Sequence, residues 1–194
     1  MNELSRRSKG FTLVELMVTI AVVAILLAIA LPSFRTAIQR NRVAAASNDL
    51  LASISYARTT AIYRHQLVSM CPSSTGSSCT SAGQAYEPGW IVYTYPAGAA
   101  SANKAYAATS ATLLRAIDSH AGVSINATET GIITFGLQGE LRPATALVFL
   151  TCSRTGNSGT GDSTVTVPGV HMDVNGSGSV MTRNLPAVAA SCGS

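Results

Sequence analysis

Hydrophobic and polar positions divide the chain into three stretches. Residues 1–10 are polar and basic, and residues 11–31 form an apolar run broken only by Thr12, Glu15 and Thr19. At 1.5 Å of rise per residue that run makes a helix about 31 Å long, the thickness of a bilayer's hydrocarbon core, so it predicts a transmembrane segment. Pro32 comes next; inside a helix it removes a backbone hydrogen bond, costs about 3 kcal/mol and produces a kink. The helical period then resumes. Val43, Ala46, Leu50, Ile54, Ala57 and Ala61 recur at steps of three and four, with Arg40, Asn48, Ser55 and Arg58 between them. A helix over residues 11–63, bent near Pro32, is expected, its outer half laying an apolar stripe on a globular domain.

From residue 64 the period shortens. Segments 66–70, 89–95, 112–117, 122–126, 131–135, 146–151, 163–167, 169–174 and 179–182 are short and rich in β-branched and aromatic residues, and turn clusters separate them. They predict an antiparallel sheet or β-sandwich-like domain over residues 64–194, packed on the helix, an α+β fold. Tyr93 and Tyr95 alternate with Val92 and Thr94, placing aromatic rings on one face of a strand. Residues 72–84, 96–110 and 153–162 read as loops; the second is Ala-rich with a lone Lys104, and is either mobile or laid against a neighbouring subunit. Val167-Pro168-Gly169 marks a turn and Asn175-Gly176-Ser177-Gly178 a flexible hairpin.

Composition narrows the class. Charged residues are 11% of the chain, well below the roughly 25% of an average soluble protein. The surface is polar but weakly charged, as in exported domains. The formal charge is +4, and Arg6, Arg7 and Lys9 against Glu3 supply half of it, so a chain beginning at Phe11 keeps +2. Net charge therefore says little about partners. The polar stretch 1–10 lacks the apolar core and small-residue cleavage site of a secretory signal.

The four cysteines, Cys71, Cys79, Cys152 and Cys192, share no metal-binding spacing. In a membrane-directed chain an even number points to two disulfides in an oxidising compartment. Of the three connectivities, Cys71 with Cys79 and Cys152 with Cys192 is favoured, because the first pair brackets a Ser/Thr/Gly loop and the second pins an irregular tail. Loop entropy assigns them about 2.5 and 4 kcal/mol. Arg35, Arg40 and Arg42 after the span nearly balance the basic residues before it, so the cysteines decide orientation and place the C-terminal part outside the cytoplasm.

Glu15 is unexplained by an anchor. A carboxylate at the centre of a membrane helix costs about 2.5 to 3.5 kcal/mol, less near the interface. One reading is snorkelling near the helix end. The other is a carboxylate awaiting a cation, the α-amino group that a cut before Phe11 would create, acting as a register device.

The stretch Gly10-Phe11-Thr12-Leu13-Val14-Glu15-Leu16, followed by a long apolar run, resembles the class III leader of type IV prepilins and type II secretion pseudopilins. The resemblance implies a leader over residues 1–10, cleavage between Gly10 and Phe11 by a prepilin peptidase, N-methylation of Phe11, and a role for Glu15 in filament assembly. Asn41-Arg42-Val43, the segment Tyr56-Ala57-Arg58-Thr59-Thr60-Ala61, Gly89-Trp90-Ile91-Val92 and Ile133-Thr134-Phe135 resemble, in that order, the GspH/FimT-like minor pilins, FimU among them. The implied partners are the major pilin, other minor pilins, the inner-membrane assembly platform and the prepilin peptidase, with residence in the inner membrane before assembly. No cofactor is implied.

An enzyme needs a constellation of reactive groups. His65, His120 and His171 are isolated in the sequence, and Gly176-Ser177-Gly178 lacks the lysine and helix of a phosphate loop. Asp173 lies on the same strand face as His171, within reach of it. DNA binding, which some FimT-like members perform through a Gly-Arg-x-Arg segment, is the main competitor. Here the corresponding place offers Gly176-Ser177-Gly178-Ser179-Val180 and then Arg183. The candidate DNA contacts are Arg142, Arg154 and Arg183, should they converge. The favoured expectation is a minor type IV pilin; a DNA-binding pilin for transformation and a type II secretion minor pseudopilin are the alternatives.

Overall fold

The computed structural model describes residues 10–80, 83–100, 102–128, 131–156, 159–187 and 192. Residues 1–9, with Arg6, Arg7 and Lys9 of the expected leader, lie outside the described residues. The chain forms two compact units, Met1–Ile38 and Gln39–Ser194.

In the first unit, the described residues are the start of helix α1 (Leu13–Arg64) and the short segment before it. Thr12 caps the helix: its Oγ1 accepts the Glu15 N–H at 3.2 Å and its C=O the Leu16 N–H at 3.1 Å. Thr12-x-x-Glu15 is thus the hydroxyl half of a capping box, a signal present in the sequence. Pro32 lies inside the helix, and Thr36 donates its hydroxyl to the Pro32 C=O at 3.1 Å.

In the second unit, the remainder of α1 buries Val43, Ala46, Leu50, Ile54, Ala57 and Ala61, the full predicted stripe. These residues pack on two antiparallel sheets. Strands β1 (Val68–Pro72), β2 (Trp90–Thr94), β3 (Thr112–Ile117) and β5 (Ile133–Phe135) form one sheet in the order β3-β2-β1-β5. The other contains β4 (Val123–Ala127), β6 (Leu147–Ser153), β7 (Val170–Val174) and β8 (Val180–Asn184), in the order β4-β6-β7-β8. Leu50 and Ile54 of the helix share one core with Tyr86, Trp90, Phe135 and Phe149. Each such side chain stabilises by about 1.5–3 kcal/mol when fully buried.

Strands β1 and β2 are buried on both faces. Val68, Met70, Trp90 and Val92 face the main core, whereas Cys71, Ile91, Tyr93 and Tyr95 form a second cluster joined by Cys79, Ala99 and Tyr106 from the loops. The predicted face of Tyr93 and Tyr95 is this second cluster, the rings 5.7 Å apart. Asn103 and Lys104 tie their loop to this cluster. The Tyr93 and Tyr95 hydroxyls donate to the Lys104 C=O at 2.6 and 2.8 Å, and Asn103 N–H donates to Thr134 Oγ1 at 3.0 Å. Burial pushes the Tyr93 hydroxyl well above the ordinary phenol range, with Tyr95 adding to it.

Residues 163–167 form a turn, not a strand. The Thr164 N–H donates to the Val167 C=O at 3.0 Å and Thr164 Oγ1 accepts the Val167 N–H at 2.9 Å. Ser163 Oγ accepts the Gly169 N–H at 3.0 Å. The Ser/Thr hydroxyls that looked like strand composition satisfy the backbone locally instead.

Disulfides join Cys71 to Cys79 and Cys152 to Cys192, with Cα atoms 5.6 and 6.2 Å apart. The first ties β1 to its following loop; the second ties β6 to the C-terminal tail.

Candidate processing and assembly site

The sequence-selected head of the helix is laid open. Gly10 is exposed, Phe11 is 75% exposed, and both precede the first helical residue. Residues 10–35 are all exposed, and among the described residues one helix is long and apolar enough to cross a membrane. Glu15 sits in its first turn, where the unpaired N–H groups give the helix its positive end, so the dipole favours a negative charge there. The geometry therefore places a carboxylate one turn below an exposed Gly-Phe junction at the head of an apolar rod.

Past the apolar run, two arginines turn to the domain. Arg40 Nε donates to the Thr166 C=O. Arg42 fills the space over Gly122, where an added Cβ would lie 2.7 Å from its Nη1.

The four motif segments are packing determinants. Val43, Trp90, Ile133 and Phe135 lie in the main core. Gly89 has φ +117°, and a Cβ there would meet the Ile117 and Ser73 carbonyl oxygens at 2.5 and 2.9 Å, so only glycine fits. Tyr56 lies under the Arg115 guanidinium, 5.9 Å from the ring centre. Arg58 Nε donates to the Gly139 C=O at 3.1 Å and its Nη2 to the Ser177 C=O at 3.2 Å. One helix side chain thereby holds both the 136–139 turn and the hairpin between β7 and β8. The glycine-rich hairpin is a seat for the helix.

The three candidate DNA contacts are each taken by a different acid. Arg142 Nε bonds Glu140 Oε1 at 2.8 Å. Burial pushes the Glu140 carboxyl up, but its own N–H, Arg142 and the Gln138 N–H outweigh that and hold it below the usual carboxylate range. Arg154 pairs with Glu87 at 3.2 Å, with side chains only 8% and 13% exposed, and donates to the Gly159 C=O at 3.3 Å. Arg183 reaches Asp173 at 3.6 Å and His171 at 3.3 Å. Only Arg154 sits in a buried pair, which a phosphate would have to break; the Arg142 and Arg183 side chains are exposed, and surface pairs of that kind are weak.

The histidines hold structural positions. His171 Nδ1 lies 3.1 Å from Asp173 Oδ2, as their shared strand face predicts, and Arg183 of β8 completes a surface cluster that fastens β8 to β7. His65 holds φ +49° just after α1, while the Gln66 N–H bonds the Ala61 C=O at 3.3 Å, a left-handed helix stop. His120 stacks on Trp90 with ring centres 5.1 Å apart and planes 6° from parallel, and its Nε2 lies 3.0 Å from Asp49 Oδ2. No local pattern announces this last contact, because its members are far apart in the chain.

A groove of about 380 Å³ runs between Ala44, Asn48 and Leu51 of the helix and Val170, Thr182 and Arg183 of the second sheet. Strand β8, mostly exposed, is the outer strand there, and β3 and β5 are the outer strands of the first sheet.

A family model described as type II transport protein GspH matches residues 46–178, and a model of the prokaryotic N-terminal methylation motif matches residues 5–31. The type IV major alpha-pilin of Moraxella bovis is 48% identical over 44 residues, 23% of this chain and 28% of that protein. The match thus spans under a third of that curated relative. Two crystal structures of the type IV minor pilin FimU of Pseudomonas aeruginosa share the fold. One aligns with TM-score 0.53 at 21% identity over 79% of this chain and 96% of FimU. The other gives 0.50 at 20% over 76% and 98%. The long helix packed on antiparallel sheets is the type IV pilin fold. With its methylation motif and the GspH match over most of its length, the chain belongs to the GspH family of type IV pilin-like proteins.

Proposed function

We propose that the protein is a minor type IV pilin, a structural subunit that is incorporated into a pilus or primes its assembly. The observation that carries this reading is the exposed Gly10-Phe11 junction with Glu15 in the first turn of a membrane-length helix, within a chain whose domain matches GspH. In this reading residues 1–10 are the leader, residues 11–63 the helix with its first part in the membrane, and residues 64–194 the displayed domain. The prepilin peptidase cuts before Phe11, whose new amino group is methylated. Glu15 then pairs with such an N-terminal amine in the apolar filament core, which fixes register because a misplaced partner leaves the charge buried alone. Pro32 relaxes the helix between its membrane and domain portions by withholding one backbone bond. The domain lies on the periplasmic side before extraction, where its two disulfides are stable. The major pilin, other minor pilins and the assembly platform are its partners.

The matched family, described as a type II transport protein, supports a second reading as a minor pseudopilin of a secretion system. Co-purification separates the two: recovery of pilins supports the first, recovery of secretion components alone supports the second. For a DNA-binding role, Arg154 is held in a buried pair with Glu87, and the exposed Arg142 and Arg183 each have a carboxylate beside them that offsets their charge.

A further inference from the structure

We infer that Thr12 is a positioning residue for leader removal, keeping the bond to be cut outside the helix. This rests on the reading of residues 1–10 as a leader. The observation behind it is which acceptor takes the Glu15 N–H. In a helix continued backward by one turn, the Val14 N–H would bond the Gly10 C=O and the Glu15 N–H the Phe11 C=O. In the structure the Glu15 N–H instead bonds Thr12 Oγ1 at 3.2 Å, and the first backbone bond of the helix runs from the Leu16 N–H to the Thr12 C=O at 3.1 Å. Helix α1 starts at Leu13, leaving Gly10, Phe11 and Thr12 non-helical.

The consequence concerns the carbonyl that is attacked. Hydrolysis adds water across the Gly10–Phe11 amide: the C–N bond breaks, Gly10 leaves as a carboxylate and Phe11 keeps the amine. A Gly10 C=O already bonded within a helix is a poorer target, because the peptidase must first unwind that turn. In an apolar surrounding the incentive to continue the helix is strong, since unpaired backbone groups are costly there. The Thr12 hydroxyl removes that incentive by satisfying Glu15 N–H, and Gly10, a poor helix former, reinforces the stop. Glu15 thus has its backbone in the cap and its carboxylate free for assembly.

The test follows leader removal by pulse-labelling in cells making the full chain and a prepilin peptidase, with alkaline extraction to verify membrane insertion. Thr12→Val, which keeps shape but loses the acceptor, is expected to be cut about fivefold more slowly, the scale of a lost cap. Thr12→Ser keeps the acceptor and should be cut at the wild-type rate. Thr12→Pro lacks the hydroxyl but bars Phe11 from helix, and should also be cut at the wild-type rate. All variants should insert equally. Equal cutting of wild type and Thr12→Val overturns the inference. So does slow cutting of Thr12→Pro, which would mean that the peptidase itself reads the hydroxyl. An uncut wild-type chain overturns the leader reading beneath it.

Discussion

Arg58 on the helix and Gly139 in the turn after β5 are joined by a hydrogen bond of 3.1 Å from guanidinium to carbonyl, and the same guanidinium reaches Ser177 in the hairpin before β8. Arg58 therefore links α1 to a turn from each sheet. Gly139 and Gly178 hold φ of +83° and +76°, and a Cβ on Gly139 would lie 2.7 Å from Ile62 Cδ1. Close approach of the turns is what lets one arginine serve both.

Arg58→Ala should destabilise the protein by about 2–3 kcal/mol, since it strips a charged donor from two carbonyls. Arg58→Lys should recover only part, because a point charge does not replace the fork. Denaturant unfolding of the detergent-solubilised chain measures both; an unchanged midpoint for Arg58→Ala would show that the turns hold without it.

His65→Gly is expected to stabilise by about 0.5–1 kcal/mol. His65 occupies the left-handed helix stop at φ +49°, a conformation that costs a side-chain-bearing residue and not glycine. The same unfolding assay should place this variant's midpoint above wild type.

Glu140 supplies a pH-dependent contact. Its carboxyl is held below the usual range in the folded protein, so its contribution is present above the unfolded value, near pH 4.5, and is lost as pH falls through the lower folded value. Glu140→Gln should therefore lower Tm at about pH 7, with the deficit shrinking as the pH falls through the folded value. A deficit that persists unchanged in acid would assign the effect to packing.

The two disulfides should differ in weight. Their sequence separations are 8 and 40, for which loop entropy gives about 2.5 and 4 kcal/mol. Replacing Cys152 and Cys192 by serine should then cost more than replacing Cys71 and Cys79. The smaller loop has a second effect: the Tyr106 N–H bonds Cys79 Sγ at 3.2 Å. Opening the Cys71–Cys79 bridge should raise hydrogen exchange in residues 96–110, whereas opening the other should leave that loop protected.

The helix was the most legible element because its information is local. Val43 through Ala61 repeat at helical spacing and all six stripe residues are buried. Strand β3 matches its sequence-derived bounds, with turn residues on both sides. Residues 163–167 misled because Ser163 and Thr164 bond the backbone within a few positions, which strand composition does not reveal. The docking of loop 96–110 and the stack of His120 on Trp90 join residues distant in sequence, and period and composition carry no record of such pairs. At the candidate site, Gly10, Phe11 and Glu15 were legible as a motif; the Thr12 cap between them was written in the Thr12-x-x-Glu15 spacing and emerged only with the hydrogen bond.

Mass spectrometry of the N-terminal peptide, taken from chain recovered in sheared filaments, tests the central claim most directly. A peptide that begins at Phe11 and carries one N-methyl group is the predicted result. A filament-borne chain that still begins at Met1 would contradict the account.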